Sequence, residues 1–144
     1  MKSKALKKKS PARASAPAAK KMAGVITMPT TLKKGEAWAG VLLDKSGNAF
    51  AHLIELPGKV KSATWDEAMK WAKEQGGELP DEQEGALLYA NRKHAFDPEW
   101  HWLRTQLASS SDYAWLQGFS HGTQNYVYKD TRSVARAVRR EPIQ

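Results

Sequence analysis

Four histidines, His52, His94, His101 and His121, are the side chains of this sequence whose ordinary pKa suits proton transfer near neutrality, and cysteine is absent. Without a thiol there is no disulfide, no thiolate nucleophile and no cysteine-held metal. The histidines fall on a strand, a connector, a strand and a loop, without the i, i+4 spacing of a helical metal pair. His101 alternates with Trp100 and Trp102 and reads as a satisfied sheet residue. Asp66, Glu67, Asp81 and Glu84 sit where helices begin, so the macrodipole accounts for them. The expectation is a protein that is not an enzyme and has no metal and no cofactor. What remains is the chemistry of recognition. Trp102, Arg104 and Gln106 recur at period two, as do Tyr113, Trp115, Gln117 and Phe119, and Tyr126 and Tyr128 lie two apart beside Asn125 and Lys129. Of these, Trp102, Arg104, Gln106, Tyr113, Gln117, Tyr126 and Tyr128, with His121 and Gln124 from the loop, are the candidate ligand-binding residues. Flat aromatic groups mixed with adaptable polar ones are what paratopes use, and loops on a rigid scaffold are where recognition sits.

The elements that would position these residues follow from local signals. Thr64 and Glu67 spell a T-x-x-E capping box, after which Trp65, Ala68, Met69 and Ala72 form an apolar stripe that ends at Gly76-Gly77. Pro80 breaks the chain, Asp81 and Glu84 repeat the cap, and a second helix is expected over residues 82–92. Upstream, AWAGVLL and AFAHLIEL flank a DKSGN loop and predict a β-hairpin. Downstream, WHWLRTQ, YAWLQGF, QNYVYK and SVARAVRR predict four strands of an antiparallel sheet. The architecture is α+β: an N-terminal hairpin, two helices, then a C-terminal antiparallel sheet over residues 35–144. Most of Trp65, Trp71, Trp100, Trp102 and Trp115 are expected in the core, because tryptophan dominates small cores.

Charge is unevenly spread over the 144 residues. Residues 1–21 hold eight of the 23 Lys and Arg and none of the 15 Asp and Glu, which leaves 15 of each sign in the remainder. The formal +8 therefore belongs to the leader, while the rest is neutral. Residues 1–34 are poor in large apolar groups and are expected to be a disordered basic tail and linker. Lys7, Lys8, Lys9, Lys20 and Lys21 are candidates for sequence-independent contact with nucleic-acid phosphates, the alternative function. The helix pair is a poor DNA reader, since its second helix opens with Asp81, Glu82 and Glu84. The leader lacks the apolar run of a signal peptide and no stretch is long enough to cross a bilayer, so a cytoplasmic protein without a membrane span is expected.

Several motifs agree in type and order with one family. ATWDEAMKWAKEQGGELP, the E-x-x-LLYAN run from Glu84, W-x-W-x-x-TQ from Trp100, YAWLQGF with the later Gly122, and the terminal ARAVRR together resemble the Lcl C-terminal-like domain family. That resemblance implies a C-type-lectin-like fold and a phage or bacterial setting. It also implies a protein or glycan partner bound through C-terminal loops and sheet, a host factor among them, with homo-oligomers allowed. A phage protein would act in the host cytoplasm or in the virion. The chain departs from the family at Leu103-Arg104, where small residues are usual. It also lacks the E-P-N, Q-P-D and W-N-D triplets of calcium-dependent sugar sites, and the cysteines of the related formylglycine-generating enzymes.

Overall fold

A computed structural model describes residues 26–29 and 31–143. The leader lysines, with residues 1–25 and 30 of the tail and linker expected over residues 1–34, lie outside the described residues. The first strand pair is the expected hairpin: β1 (Ala37–Leu43) and β2 (Ala49–Glu55) are antiparallel. Asp44 builds its loop, with Oδ1 accepting the Ser46 and Asn48 N–H groups at 2.9 Å each. A short strand that the sequence reading missed, β3 (Val60–Ala63), leads into α1 (Trp65–Glu74).

Both helices start as their sequences dictate. Thr64 and Glu67 cap α1, and Asp81 and Glu84 cap α2 (Glu82–Arg92), each pair bonded reciprocally as a complete capping box. Between the helices the chain runs against the neighbouring sheet. A Cβ on Gly77 would lie 2.2 Å from the Val138 carbonyl oxygen, so only glycine lets Glu78 pair with Val138 there. After α2, a single 3-10 turn (Lys93–Ala95) interrupts the connector.

The C-terminal strands are β4 (Trp100–Leu107), β5 (Ser110–Gly118), β6 (Gln124–Tyr128), β7 (Ser133–Ala135) and β8 (Val138–Pro142). This corrects the expected four-strand antiparallel sheet in two ways. SVARAVRR is two strands, split at Arg136-Ala137, and they belong to different sheets: β8 extends β1-β2, while β7 lies between β3 and β4 in the order β3-β7-β4-β5-β6. In addition, β7 meets β4 in parallel, at His101 and Val134.

Two cores result. One lies between α1 and the five-stranded sheet and contains Trp65, Ala68, Ala72, Leu79, Trp102, Ala114 and Leu116. The other joins α2 to the three-stranded sheet through Ala39, Leu42, Leu53, Leu88, Phe96, Phe119 and Val138. The two deepest indoles satisfy their N–H groups on backbone: Trp102 donates to the Ala63 carbonyl at 2.8 Å and Trp65 to the Leu103 carbonyl at 2.9 Å. The expectation that most tryptophans are core is too generous, because Trp71 and Trp115 are half-buried and Trp100 is 41% exposed.

Arginine pairs tie the cores together. Glu84, 1% exposed, accepts from Arg104 of β4 at 2.8 Å and from both Nε and Nη2 of Arg140 of β8. Burial pushes its carboxyl up, but Arg140, the Asp81 N–H and Arg104 together hold it below the usual carboxylate range. Glu55 is gripped in the same way by Arg92 at 2.8 Å and Arg136 at 2.9 Å. Removing one partner of a buried pair strands the other charge. Glu84→Ala should therefore cost about 3–5 kcal/mol in urea unfolding, far more than Glu67→Ala at the exposed Arg132 pair.

His101 is buried between Phe96 and Phe119, with Nδ1 on the Glu99 carbonyl at 2.9 Å and Arg136, Asp97 and Lys59 as its charged neighbours. Burial lowers its pKa to about 4. The unfolded chain takes up this proton near pH 6.5 and the folded chain does not. Stability should fall by about 3 kcal/mol as pH drops from 6.5 to 4, then level off for this group. Glu36, held to about 2 by Arg139, and Glu67, Glu84 and Asp97, also held low, lose their contributions only below about pH 4.5. Between pH 6.5 and about 4.5, urea midpoints should therefore show the His101 slope in the wild type and a nearly flat line in His101→Gln.

Candidate binding face

The outer face of β5 and β6 carries a row of rings. The register pairs Tyr113 with Tyr128 and Trp115 with Tyr126, while Ala114, Leu116 and Val127 turn inward to the first core. Both aromatic pairs are of the close, non-hydrogen-bonded kind, since the Tyr126 N–H bonds the Asn125 side chain at 2.8 Å instead of β5. Tyr113 stacks on Tyr128 with centroids 4.4 Å apart, and Tyr126 stands edge-on to Tyr113 at 5.7 Å and to Trp115 at 5.3 Å. Tyr126 is 43% exposed and Tyr128 is 57% exposed, so the row faces solvent. The Tyr128 hydroxyl beside Tyr113 raises the Tyr113 pKa above its ordinary value.

One end of the row is fixed by a polar knot against α2. Gln124 Nε2 donates to Gln117 Oε1 and to the Glu82 carbonyl, both at 2.8 Å, and Gln117 Nε2 donates to the Gly118 carbonyl at 3.0 Å. Gly85 makes room for this, because a Cβ there would lie 2.9 Å from Leu103 and 3.1 Å from Gln117 Oε1. The other end opens into a cleft of ≈ 330 Å3 lined by Asp112, Tyr128, Lys129 and Asp130.

The structure sorts the candidate residues. Tyr113, Tyr126 and Tyr128 converge, with Gln124 anchored at one end of their row. Trp102 is fully buried and Gln117 is 1% exposed, so neither meets a ligand at the surface. The cause is a register shift in β4 between Trp102 and Gln106, which breaks the assumed alternation, and the packing of α2 over Gln117. Arg104 is spent internally on Glu78, Asp81, Glu84 and the Leu79 carbonyl. Gln106 lies apart from the row and accepts from Lys129, whose ammonium sits 4.4 Å from the Trp65 ring. His121 is exposed beside Ser120, in a loop that packs on Tyr89 at Gly122. Trp115, which period two puts on the face of Tyr113, was expected in the core and so was not among the candidates, yet it stands in the row.

Among the described residues no cluster of three or more His, Asp or Glu could hold a metal ion, and no helix is long and apolar enough to cross a membrane. The chain matches no protein-family model, and no curated protein matches it significantly. The ring row has a spectroscopic signature of its own. In alkaline titration followed by tyrosinate absorbance, Tyr128→Phe should bring the late-ionising tyrosine back toward its ordinary range, and an unchanged late phase would mean the hydroxyl pair is absent in solution.

Proposed function

We propose that this chain is a non-enzymatic binding module of lectin-like fold, phage-associated by its motif resemblance, that recognises a protein or glycan through the β5–β6 face. The observation that carries this reading is the solvent-facing row Tyr113, Trp115, Tyr126 and Tyr128, held in fixed ring contacts. Monomeric proteins seldom leave several large rings contiguous at the surface without a use, and rigid aromatic groups bind at low entropic cost. The host cytoplasm or the virion is the setting that the resemblance suggests.

A second reading has one observation in its favour. Trp100 shares a cleft of ≈ 340 Å3 with Lys61 and Arg132, a ring beside cations, which together with the leader lysines suits a nucleic acid. Binding measured on glycan, peptide and nucleic-acid panels separates the two. The first predicts that Tyr126→Ala with Tyr128→Ala weakens the bound ligand at least tenfold while Tm holds. The second predicts instead a log–log salt slope of about −0.7 to −0.9 per phosphate engaged and loss on changing Lys7, Lys8 and Lys9 to Ala.

A further inference from the structure

Taking the binding-face reading as its base, the chemistry of that face narrows what can occupy it. Two groups on the free edge of β6 are already taken: Asn125 Oδ1 accepts from the Tyr126 N–H at 2.8 Å and the Tyr128 carbonyl accepts from the Thr131 N–H at 3.0 Å. A peptide that adds as a further strand would find these groups spent. The rings stay open, and among the described residues the Trp115 indole N–H and the Tyr126 hydroxyl have no hydrogen-bond partner. A flat aromatic row with outward donors suits a proline-bearing backbone in the polyproline II conformation, whose carbonyls are unpaired and whose ordering cost is low.

Charge narrows it further. Asp112 and Asp130 line the cleft at the Tyr128 end and neither forms an ion pair among the described residues. The cation of that cleft, Lys129, is turned away to Gln106 and the Trp65 ring. This end of the row repels a polyanion and favours a cation. The ligand it fits is an extended, proline-bearing segment flanked by lysine or arginine.

The same sequence contains such a segment. Residues 7–21 read KKKSPARASAPAAKK, with two prolines, six Lys or Arg and no acid. At 3.1 Å per residue, Lys9 lies roughly 6 Å from Pro11 and Lys20 roughly 9 Å from Pro17, so a proline on the rings leaves a cation within reach of the carboxylates. Pro17 lies nine positions before Ile26, the first described residue, a span of about 30 Å when extended, comparable to the diameter of a domain whose radius of gyration is about 13 Å. We infer that residues 7–21 dock on the Tyr113–Trp115–Tyr126–Tyr128 face, proline against the rings and lysine against Asp112 and Asp130. A competing ligand for this face must then displace the leader.

Limited trypsin digestion of the full chain tests this, because the leader's lysines are the cleavage sites. With a local concentration on the order of 1 mM and a segment Kd of about 0.1 mM, docking slows cleavage within residues 7–21 by about tenfold. The full-length variants Tyr126→Ala/Tyr128→Ala and Asp112→Asn/Asp130→Asn should both abolish that protection while the folded domain stays uncut. Protection that survives dilution assigns the leader of the same chain, and protection lost on dilution assigns that of a second copy; both support the docking. Equal cleavage in wild type and both variants overturns it. A proline-rich peptide and a neutral glycan panel are then titrated onto the same proteins. Ring-dependent binding there keeps the binding face and removes only the leader as its occupant, whereas no ring-dependent binding removes both.

Discussion

The buried carboxylate of Glu84 is the joint on which the remaining geometry depends. It closes the capping box of α2 through Asp81, and its charge is met by Arg104 from the five-stranded sheet and Arg140 from the three-stranded one. A lone carboxylate at this depth would be prohibitively costly, so both guanidiniums must be in place when the helix docks. The planar fork of arginine suits that task better than the point charge of lysine. Each of the six arginines of the described residues is ion-paired, and Lys59 joins them with Asp97. Arginine here is structural cement, and lysine is left to the surface and the leader.

The site inherits its rigidity from that joint. Docked α2 brings the Glu82 carbonyl and Gly85 against Gln117 and Gln124, and those amides fix the pairing of β5 with β6 at one end. From there the two-residue period sets the ring contacts without further help, since Trp115 and Tyr113 follow Gln117 on the same face of β5. The rings are thus presented by a strand pair whose register cannot slip without unmaking a buried hydrogen-bond knot.

How much of this was legible in the sequence follows from the range of each interaction. The capping boxes and the turn at Asp44 were readable because every partner lies within four residues. Tyr113, Tyr126 and Tyr128 were also readable as a group, from spacing and composition alone. The division of SVARAVRR between two sheets was not, because strands of three and five residues leave too little periodicity and their partners lie far away in the chain. The fate of Arg104 was equally hidden: its partners Glu78, Asp81 and Glu84 are recognisable only once α2 is placed. Trp102 illustrates the same limit from the other side, since one residue type serves both core and surface and only the β4 register shift decides which.

The balance of charge then gives the face its character. The described domain is close to neutral, with 15 Lys and Arg against 15 Asp and Glu, and its six arginines are already committed to ion pairs. The carboxylates left without partners therefore acquire disproportionate influence over what approaches them. Asp112 and Asp130 stand where the aromatic row ends, and the nearest cation is drawn toward Trp65 and Gln106. A domain of balanced charge whose aromatic row ends in acids unpaired among the described residues suits discrimination by local potential more than by net charge. On the proposed reading, the basic leader and the acidic-ended face are complementary parts of one sequence.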